Sequence, residues 1–215
     1  MKKYKILNLY ACLGGNRYKW DEVSGNLEIT AVELDPELAR MYQERFPNDI
    51  VIVSDAHQYL LDHYKEFDFI WSSPPCPTHS MINLSQYTRD SYIPKFPDMK
   101  LYQEIIFLKT FFKGKYCIEN VVPYYEPLIV ANKRGRHLYW TNFLLPNFKE
   151  RDAKIREWQI PQLEKHHEID LSKYKGTQNK RKIGRNLVDY EAGKTILETV
   201  FGIIRKSDIT QTELF

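Results

Sequence analysis

The chain has 215 residues and a formal net charge of +3, and this length suits one domain with a small appendage. Hydrophobic residues make up 43% and charged residues 27%, which is typical of a soluble globular protein and excludes a disordered or collagen-like chain. The apolar stretches fall short of a membrane span and of the apolar region of a signal peptide, so we expect a cytoplasmic protein without a membrane partner.

Short apolar runs that alternate with helix-like patterns predict the first elements of the fold. Residues 6–10 are a predicted buried strand that Gly14 and Gly15 end, and a helix is expected directly after them. Residues 27–34 predict a second strand. Asp35 and Pro36 then supply an N-cap acid and a proline at the first helical position, which predicts a helix to residue 45.

The same patterns continue along the rest of the chain. They predict, in order, a strand at 50–53, a helix after Asp55 to 64, a strand at 67–71, a helix at 99–112, strands at 116–118 and 137–143, and a final helix at 191–204. Residues 146–185 lose this rhythm. Because strands that alternate with helices pair in parallel, we expect an α/β fold: a Rossmann-like, doubly wound, mostly parallel sheet with a very small appendage.

Glycines and acids stand at the carboxyl ends of the first three predicted strands, where open α/β sheets bind ligands. Gly14 and Gly15 let the backbone approach a ligand closely, although two glycines after a strand also make an ordinary turn. Glu33 suits ribose hydroxyls and Asp55 suits an adenine amino group, although an acid such as Asp55 is also a common helix cap. Together and in this order they indicate a cofactor that contains adenosine.

The turn after the fourth predicted strand holds a cysteine between prolines. Pro75 and Pro77 flank Cys76, and Pro74 stiffens the turn further, so its thiol is a candidate for a positioned nucleophile. A carboxyl group, Glu119, stands at the end of the fifth predicted strand and would face the same cleft. A thiolate and a carboxyl group in one pocket suit covalent activation of a heterocycle, with attack on the ring and protonation of a ring nitrogen.

The other two cysteines fit a different interpretation. Cys12 and Cys117 each stand among strand-like apolar residues, which is typical of small buried cysteines. Three cysteines at wide spacing also disfavour a disulfide framework and a cysteine zinc site, so no metal is expected.

Positive charge is concentrated between residues 171 and 185, a stretch that contains no acid. Its six cations exceed the net charge of the whole chain, so the remaining residues are net acidic. Such a stretch suits the phosphate backbone of a nucleic acid, and it is equally compatible with a solvated, mobile loop. The cations are Lys173, Lys175, Lys180, Arg181, Lys182 and Arg185.

These residues together resemble the motifs of the cytosine-5 DNA methyltransferases, and the resemblance runs in order from residue 8 to residue 188. In its small size and in the amino-acid sequence of residues 76–80, the chain resembles the phage-type members of this family. The matching motifs are Asn8-Leu9-Tyr10-Ala11-Cys12-Leu13-Gly14-Gly15, Ala31-Val32-Glu33-Leu34-Asp35-Pro36, Asp55, Pro74-Pro75-Cys76, Glu119-Asn120-Val121, Arg134-Gly135-Arg136 and Arg185-Asn186-Leu187-Val188.

The resemblance implies the class I methyltransferase fold, S-adenosyl-L-methionine as the cofactor and double-stranded DNA as the partner. It implies catalytic roles for Cys76, Glu119, Arg134 and Arg136. The cofactor would lie against Tyr10, Ala11, Leu13, Gly14, Gly15, Glu33, Leu34, Asp55, Ala56, Pro74, Asn186 and Val188. For the nucleic acid we expect Ser80, Arg89 and the six cations of residues 171–185.

The resemblance also implies a division of the chain and a mechanism. Residues 1–145 would form the catalytic domain, 146–185 a reduced target-recognition segment, and 186–215 a helix that returns to the catalytic domain. A cytosine would flip out of the stack, Cys76 would attack ring carbon 6, and Glu119 would hold ring nitrogen 3. Residues 78–97, read as a connection without structure of its own, would form a lid over the flipped base.

The sequence departs from the family pattern at several positions. Cys12 replaces the usual first glycine of the cofactor loop, Asn8 replaces an acid, and Pro77 replaces the glutamine after the nucleophile. The glycine that usually precedes Asn186 is missing. The region between the Arg134-Gly135-Arg136 motif and the Arg185-Asn186-Leu187-Val188 motif is short, so we expect loose or short sequence recognition.

Three other functions stay open at this level. An amino-group methyltransferase would carry an aromatic residue where Cys76 stands and would lack the Glu-Asn-Val motif. A transfer RNA cytosine methyltransferase would carry out the same chemistry on RNA in place of DNA, so RNA is an alternative partner. A non-catalytic DNA-binding or decoy protein of the same fold is compatible with Cys12 and Asn8. The target sequence, a partner restriction nuclease and the oligomeric state are not encoded in any recognisable pattern.

Overall fold

A computed structural model describes residues 2–148 and 157–203. Its strands are β1 (Tyr4–Leu9), β2 (Leu27–Glu33), β3 (Ile50–Val53), β4 (Phe69–Ser72), β5 (Lys115–Val121), β6 (Asn132–Arg134) and β7 (His137–Thr141). Its α-helices are α1 (Pro36–Arg45), α2 (Ala56–His63), α3 (Ile82–Tyr87), α4 (Lys100–Phe111), α5 (Ile160–His167), α6 (Lys180–Asn186) and α7 (Tyr190–Val200).

The strands form one seven-stranded sheet in the order β3-β2-β1-β4-β5-β7-β6. Strands β1 to β5 pair in parallel, and β7 and β6 are antiparallel. The predicted doubly wound, mostly parallel sheet is therefore confirmed. Because parallel strands end at one edge, the loops after β1, β2, β4 and β5 meet there.

Alternation along the strands builds a core on each face of the sheet. Leu7 and Leu9 of β1 pack with residues of α2 and α4 on one face. Ile6 of the same strand packs on the other face with α7 and with Trp20. Helix α1 begins where the sequence predicts it, because the Asp35 side chain accepts hydrogen bonds from the amides of Glu37 and Leu38.

The predicted helix after the two glycines is absent. Residues 16–19 form turns, and only the short 3-10 helix Trp20–Glu22 follows. Two contacts explain the difference. A β-carbon on Gly193 of α7 would lie 2.1 Å from the Asn16 carbonyl oxygen, and the Trp20 indole donates a hydrogen bond to the Gly193 carbonyl at 3.1 Å. Contacts with α7 thus fix the conformation of this segment, and they replace the hydrogen bonds that a helix would form within it.

Other boundaries also differ from the prediction. Strand β5 extends through Val121, so Glu119 and its neighbours lie inside the strand and not after it. Strand β6 was not predicted, and the lid segment contains a short helix, α3. The final helix ends at Val200, and residue 204 of its predicted range lies outside the described residues.

The described part of the appendage packs on the cofactor side of the sheet and not apart from it. Ile169, Leu171 and Ile183 share one hydrophobic cluster with Leu13 and with Met41 of α1. The basic stretch is not a loop throughout, because it contains the 3-10 helix Leu171–Lys173 and helix α6. Within the described ranges, every helix is too short or too polar to cross a membrane.

Candidate active site

A cleft of about 820 Å³ opens at the carboxyl edge of the sheet. The loops after β1, β2, β4 and β5 form its walls, and the segment before α7 closes one side. The volume is within the range of pockets that hold a small molecule almost completely. The predicted site residues that line it are Tyr10, Ala11, Gly15, Glu33, Leu34, Asp55, Ala56, Pro74, Cys76, Ser80, Glu119, Arg136, Lys182, Arg185, Asn186 and Val188.

The loop after β1 turns through left-handed backbone conformations. Tyr10 has a φ of 57° and Cys12 a φ of 46°, values that favour glycine over side chains with a β-carbon. The family's glycine at the position of Cys12 is thereby explained. Here the Glu33 carboxylate accepts a hydrogen bond from the Cys12 amide at 2.8 Å, which holds the loop in this conformation.

Gly15 marks the place where the β1 loop meets residues 185–188, which we call the closing segment. A β-carbon on Gly15 would lie 2.4 Å from the Val188 carbonyl oxygen and 2.9 Å from the Val188 nitrogen. Real β-carbons do not approach backbone atoms this closely, so the closing segment can pack here only against glycine. This contact brings Asn186 and Val188 to the cleft beside the loop of β1.

The two acids at the ends of β2 and β3 hold the local structure and also line the cleft. Glu33 also accepts a hydrogen bond from the Asp35 amide at 3.1 Å, and its two oxygens keep further acceptor sites for hydroxyl groups. Asp55 is the N-cap of α2, accepting from the Gln58 amide at 3.1 Å, and it also lines the cleft. Asp55 additionally pairs with Lys100 of α4 at 3.3 Å.

The turn that carries Cys76 is tied to strand β5. The Asn120 side-chain amide donates to the Pro74 carbonyl at 2.9 Å, and Asn120 itself is buried. On the other side of the turn, the amides of His79 and Ser80 both donate to the Cys76 carbonyl at 3.0 Å. The proline-rich turn is thus fixed at both ends, with Cys76 in the wall of the cleft.

The other two thiols are unsuited to nucleophilic attack. Burial, reinforced by the charge of Glu33, raises the pKa of the Cys12 thiol to about 12. Burial also raises the pKa of Cys117 well above its usual range, and this residue lies in the core. Only a thiolate is strongly nucleophilic, so neither cysteine supplies one at neutral pH. Cys12 packs against the hydrophobic cluster of Leu13 and Met41 and also lines the cleft.

Glu119 and His137 face each other at the far end of the cleft from the β1 loop. The His137 Nε2 atom lies 3.4 Å from a Glu119 carboxylate oxygen, and both side chains are largely buried. Their contact follows from the antiparallel register: Glu119 stands opposite Tyr139, so His137, two residues earlier, is its diagonal neighbour on one face. Arg136 lines the cleft beside them.

The remaining predicted site residues lie away from the cleft lining. Leu13 is fully buried against α1, and Gly14, with a φ of 66°, packs beneath the rings of Tyr42 and Phe46. The Arg134 guanidinium donates to the Pro146 carbonyl at 3.1 Å and to the Leu145 carbonyl at 3.2 Å. These contacts stabilise the chain after β7.

Part of the basic stretch also makes internal contacts. Lys180 donates to the Tyr174 carbonyl, and Arg181 donates through Nε to the Trp158 carbonyl at 3.0 Å. Lys173 and Lys175 are exposed, as is Arg89 in the lid segment. Lys182 and Arg185 are the cations of this stretch that reach the cleft.

Sequence reasoning missed several residues of this region. Lys100 and His137 were assigned no role, although both line the cleft. The position of His137 directly after the Arg-x-Arg motif was a usable signal once β5 and β7 are paired. Glu104 of α4, which is 1% exposed and bonded to residues of three loops, carries no sequence signal beyond an acid on the apolar side of a helix.

The fold and cleft define a class I S-adenosylmethionine-dependent methyltransferase. Residues 4–121 match the family model described as C-5 cytosine-specific DNA methylase, and the match spans more than half of the chain. The protein belongs to this family, and S-adenosylmethionine is its methyl donor. Among curated proteins, no sequence matches the chain.

Solved structures resemble the fold at low sequence identity. The methyltransferase EhMeth of Entamoeba histolytica is 11% identical, with a TM-score of 0.57 over 96% of this chain and 100% of that chain. A mutant of Spodoptera frugiperda DNMT2 is 24% identical, with a TM-score of 0.39 over 55% of this chain and 36% of that chain. A TehB-like S-adenosylmethionine-dependent methyltransferase from Corynebacterium glutamicum is 16% identical, with a TM-score of 0.35 over 56% of each chain.

The contact between Gly15 and Val188 predicts a specific loss of cofactor affinity. The added methyl group of Gly15→Ala would push the closing segment away from the β1 loop, because the Val188 carbonyl oxygen lies only 2.4 Å from its position. We expect the dissociation constant for S-adenosylmethionine, measured by isothermal titration calorimetry, to rise about tenfold or more, equivalent to about 1.4 kcal/mol.

Gly25→Ala is the matched control, because no heavy atom lies within 4 Å of the added β-carbon. It should bind the cofactor as the wild type does. Unchanged affinity in Gly15→Ala, in protein with a normal circular dichroism spectrum, would show that the closing segment does not shape the cofactor site.

Proposed function

We propose that the protein transfers a methyl group from S-adenosylmethionine to carbon 5 of a cytosine in double-stranded DNA, through a covalent adduct with Cys76. The observation that supports this most strongly is the hydrogen bond from Asn120 to the Pro74 carbonyl. It joins the cysteine turn to the strand of Glu119, so a thiol and a carboxyl group line one cleft together with the proposed cofactor residues.

The residues available for the cofactor fit its parts. In the proposed arrangement Glu33 accepts hydrogen bonds from the ribose hydroxyls and Asp55 accepts one from the adenine amino group. Gly15 lets Val188 pack directly on the β1 loop, and both residues line the cleft proposed for the donor. When bound, the sulfonium group supplies an electrophilic methyl group. The chain's own residues must make cytosine carbon 5 nucleophilic enough to accept it.

Cys76 and Glu119 perform that activation in our proposal. The Cys76 thiolate forms a bond to carbon 6, the carbon 5–carbon 6 double bond opens, and Glu119 supplies a proton to ring nitrogen 3 as charge moves there. Carbon 5 then takes the methyl group as the bond between that methyl group and the donor's sulfur breaks, which leaves S-adenosylhomocysteine, and ring nitrogen 3 returns its proton to Glu119. A base removes the carbon 5 proton, the sulfur–carbon 6 bond breaks and the double bond returns, which regenerates the thiolate.

His137 positions the carboxyl group for this step. With its Nε2 atom 3.4 Å from the carboxylate, it holds Glu119 in one orientation at the cleft wall. Arg136, which also lines the cleft, is placed to contact the base or the cysteine turn. We assign Arg134 a structural role on the basis of its bonds to the carbonyls after β7.

The cytosine must leave the duplex to reach this site. Cys76 lines the wall of a cleft and is only partly exposed, whereas carbon 6 of a stacked base is covered by its neighbours. Base flipping is therefore part of the proposal. Residues 78–97, with helix α3 within them, extend from Cys76 and are proposed as the lid over the flipped base, with Ser80 at the cleft.

DNA contacts by the appendage are proposed to be few. We assign residues 1–145 to catalysis, 146–185 to a reduced recognition segment and 186–215 to the return to the catalytic core. The described appendage packs against α1 and the β1 loop, and this packing places it beside the cleft. Two of its cations, Lys182 and Arg185, line the cleft. Contacts of this kind bind phosphates and carry little sequence information.

Replacing the nucleophile should separate chemistry from cofactor binding. In Cys76→Ser we expect methyl transfer to fall below detection, because a serine hydroxyl is almost never ionised at neutral pH. The dissociation constant for S-adenosylmethionine should stay within about twofold. Methyl transfer is measured with radiolabelled cofactor and cytosine-containing duplex, and binding by calorimetry.

A duplex that carries 5-fluorocytosine gives a direct test of the adduct. The fluorine on carbon 5 cannot be removed as a proton is, so the bond between the Cys76 sulfur and carbon 6 persists. The wild type and Cys117→Ala, which changes a core thiol, should both form a complex stable in denaturing gels. Cys76→Ser should form none. Retained transfer in Cys76→Ser would refute the assignment of the nucleophile.

The cations at the cleft predict a change in salt dependence. Lys182→Gln should weaken DNA binding and lower the slope of log affinity against log salt by about 0.9, the loss of one phosphate contact. Lys113→Gln is the control, because Lys113 is exposed just before β5, at the opposite edge of the sheet. Equal slopes for the two variants, measured by fluorescence anisotropy, would exclude Lys182 from the DNA interface.

A further inference from the structure

A buried acid lies behind the cleft. Glu104 of α4 is 1% exposed, and its carboxylate accepts hydrogen bonds from the Tyr10 hydroxyl at 2.6 Å and from the Ser72 hydroxyl at 2.6 Å. Nδ1 of His57 lies 3.0 Å from the same oxygen that Tyr10 contacts. Bonds of this length between hydroxyls and a carboxylate belong to the stronger class of hydrogen bonds.

The three partners come from three different segments of the chain, all at the cleft edge of the sheet. Tyr10 belongs to the β1 loop and lines the cleft, in a left-handed conformation with a φ of 57°. Ser72 is the last residue of β4 and directly precedes the turn of Cys76. His57 follows Ala56 at the start of α2, next to Asp55. One carboxylate thus joins the proposed cofactor residues to the base of the proposed nucleophile turn.

Glu104 shifts the pKa values of two of its partners. The hydrogen bond and charge of Glu104 raise the pKa of His57, and burial together with Glu104 raises the pKa of Tyr10. A raised pKa favours the protonated form of each partner, which is the form that donates a hydrogen bond. A buried carboxyl group without hydrogen-bond partners is strongly unfavourable, so the three segments are held in place by its need for partners.

We propose that Glu104 is a positioning residue that fixes the cofactor loop through Tyr10 and the nucleophile turn through Ser72. The nucleophile half of this inference rests on the proposed function. The cofactor half rests only on the methyl donor that the family uses. Glu104 touches neither reactant in this account, and it acts through the two hydroxyl groups.

The two hydroxyls can be removed one at a time. Tyr10→Phe should raise the dissociation constant for S-adenosylhomocysteine about tenfold, and this effect should be larger than its effect on the transfer rate constant at saturating cofactor. Ser72→Ala should do the reverse: affinity within about twofold, and a transfer rate constant lowered about tenfold. Glu104→Gln, which keeps the side-chain volume, should impair both.

Thr110→Val is the matched control on the same helix. The exposed Thr110 hydroxyl donates a hydrogen bond to the Ile106 carbonyl at 2.7 Å, within α4. This variant should change neither affinity nor rate. If Glu104 only stabilises the fold, Tyr10→Phe and Ser72→Ala will lower thermal stability and leave affinity and rate unchanged, and this result would overturn the proposal.

Amide hydrogen exchange makes the test independent of the methylation assay. Ser72→Ala should speed exchange in residues 73–81, where the His79 and Ser80 amides bond to the Cys76 carbonyl, and should leave residues 10–16 unchanged. Tyr10→Phe should show the opposite pattern. If the wild type methylates no cytosine but these patterns appear, the proposed function fails and the positioning role stands. If both loops exchange as in the wild type, the positioning role fails.

Discussion

The carboxyl group of Glu104 is buried, and its hydrogen-bond partners come from three separate segments at the cleft. Such a group is tolerated inside a protein only when donors surround it, and here the donors follow β1, end β4 and begin α2. The parallel sheet brings these segments to one edge, and the carboxylate then holds them at fixed distances. Cofactor residues and the cysteine turn thereby become parts of one arrangement.

A second constraint acts from the end of the chain. Val188 packs against Gly15 so closely that a side chain could not fit between them, and Gly193 of α7 packs in the same way against Asn16. The first loop of the fold is therefore completed by residues more than 170 positions later. The appendage joins this contact through its shared hydrophobic cluster with Leu13, which explains why the described part is not a separate lobe.

The sequence predicted what local chemistry decides. Asp35 and Pro36 begin α1 as expected, and the parallel sheet follows from the alternation of strands with helices. Features set by distant contacts were not predictable in this way. The helix expected after the two glycines is absent because Asn16 and the Trp20 indole contact Gly193 of α7 instead. Glu104 and His137 gain their positions only from packing and strand register.

We propose that the protein methylates carbon 5 of cytosine in DNA at this cleft. The most direct test is nucleoside mass spectrometry of duplex DNA after incubation with the wild-type protein and S-adenosylmethionine that carries a trideuterated methyl group. We predict 5-methylcytosine that carries the deuterium label. Label found on the amino group of adenine or cytosine, or an unlabelled duplex after incubation with folded, cofactor-binding protein, would contradict the account.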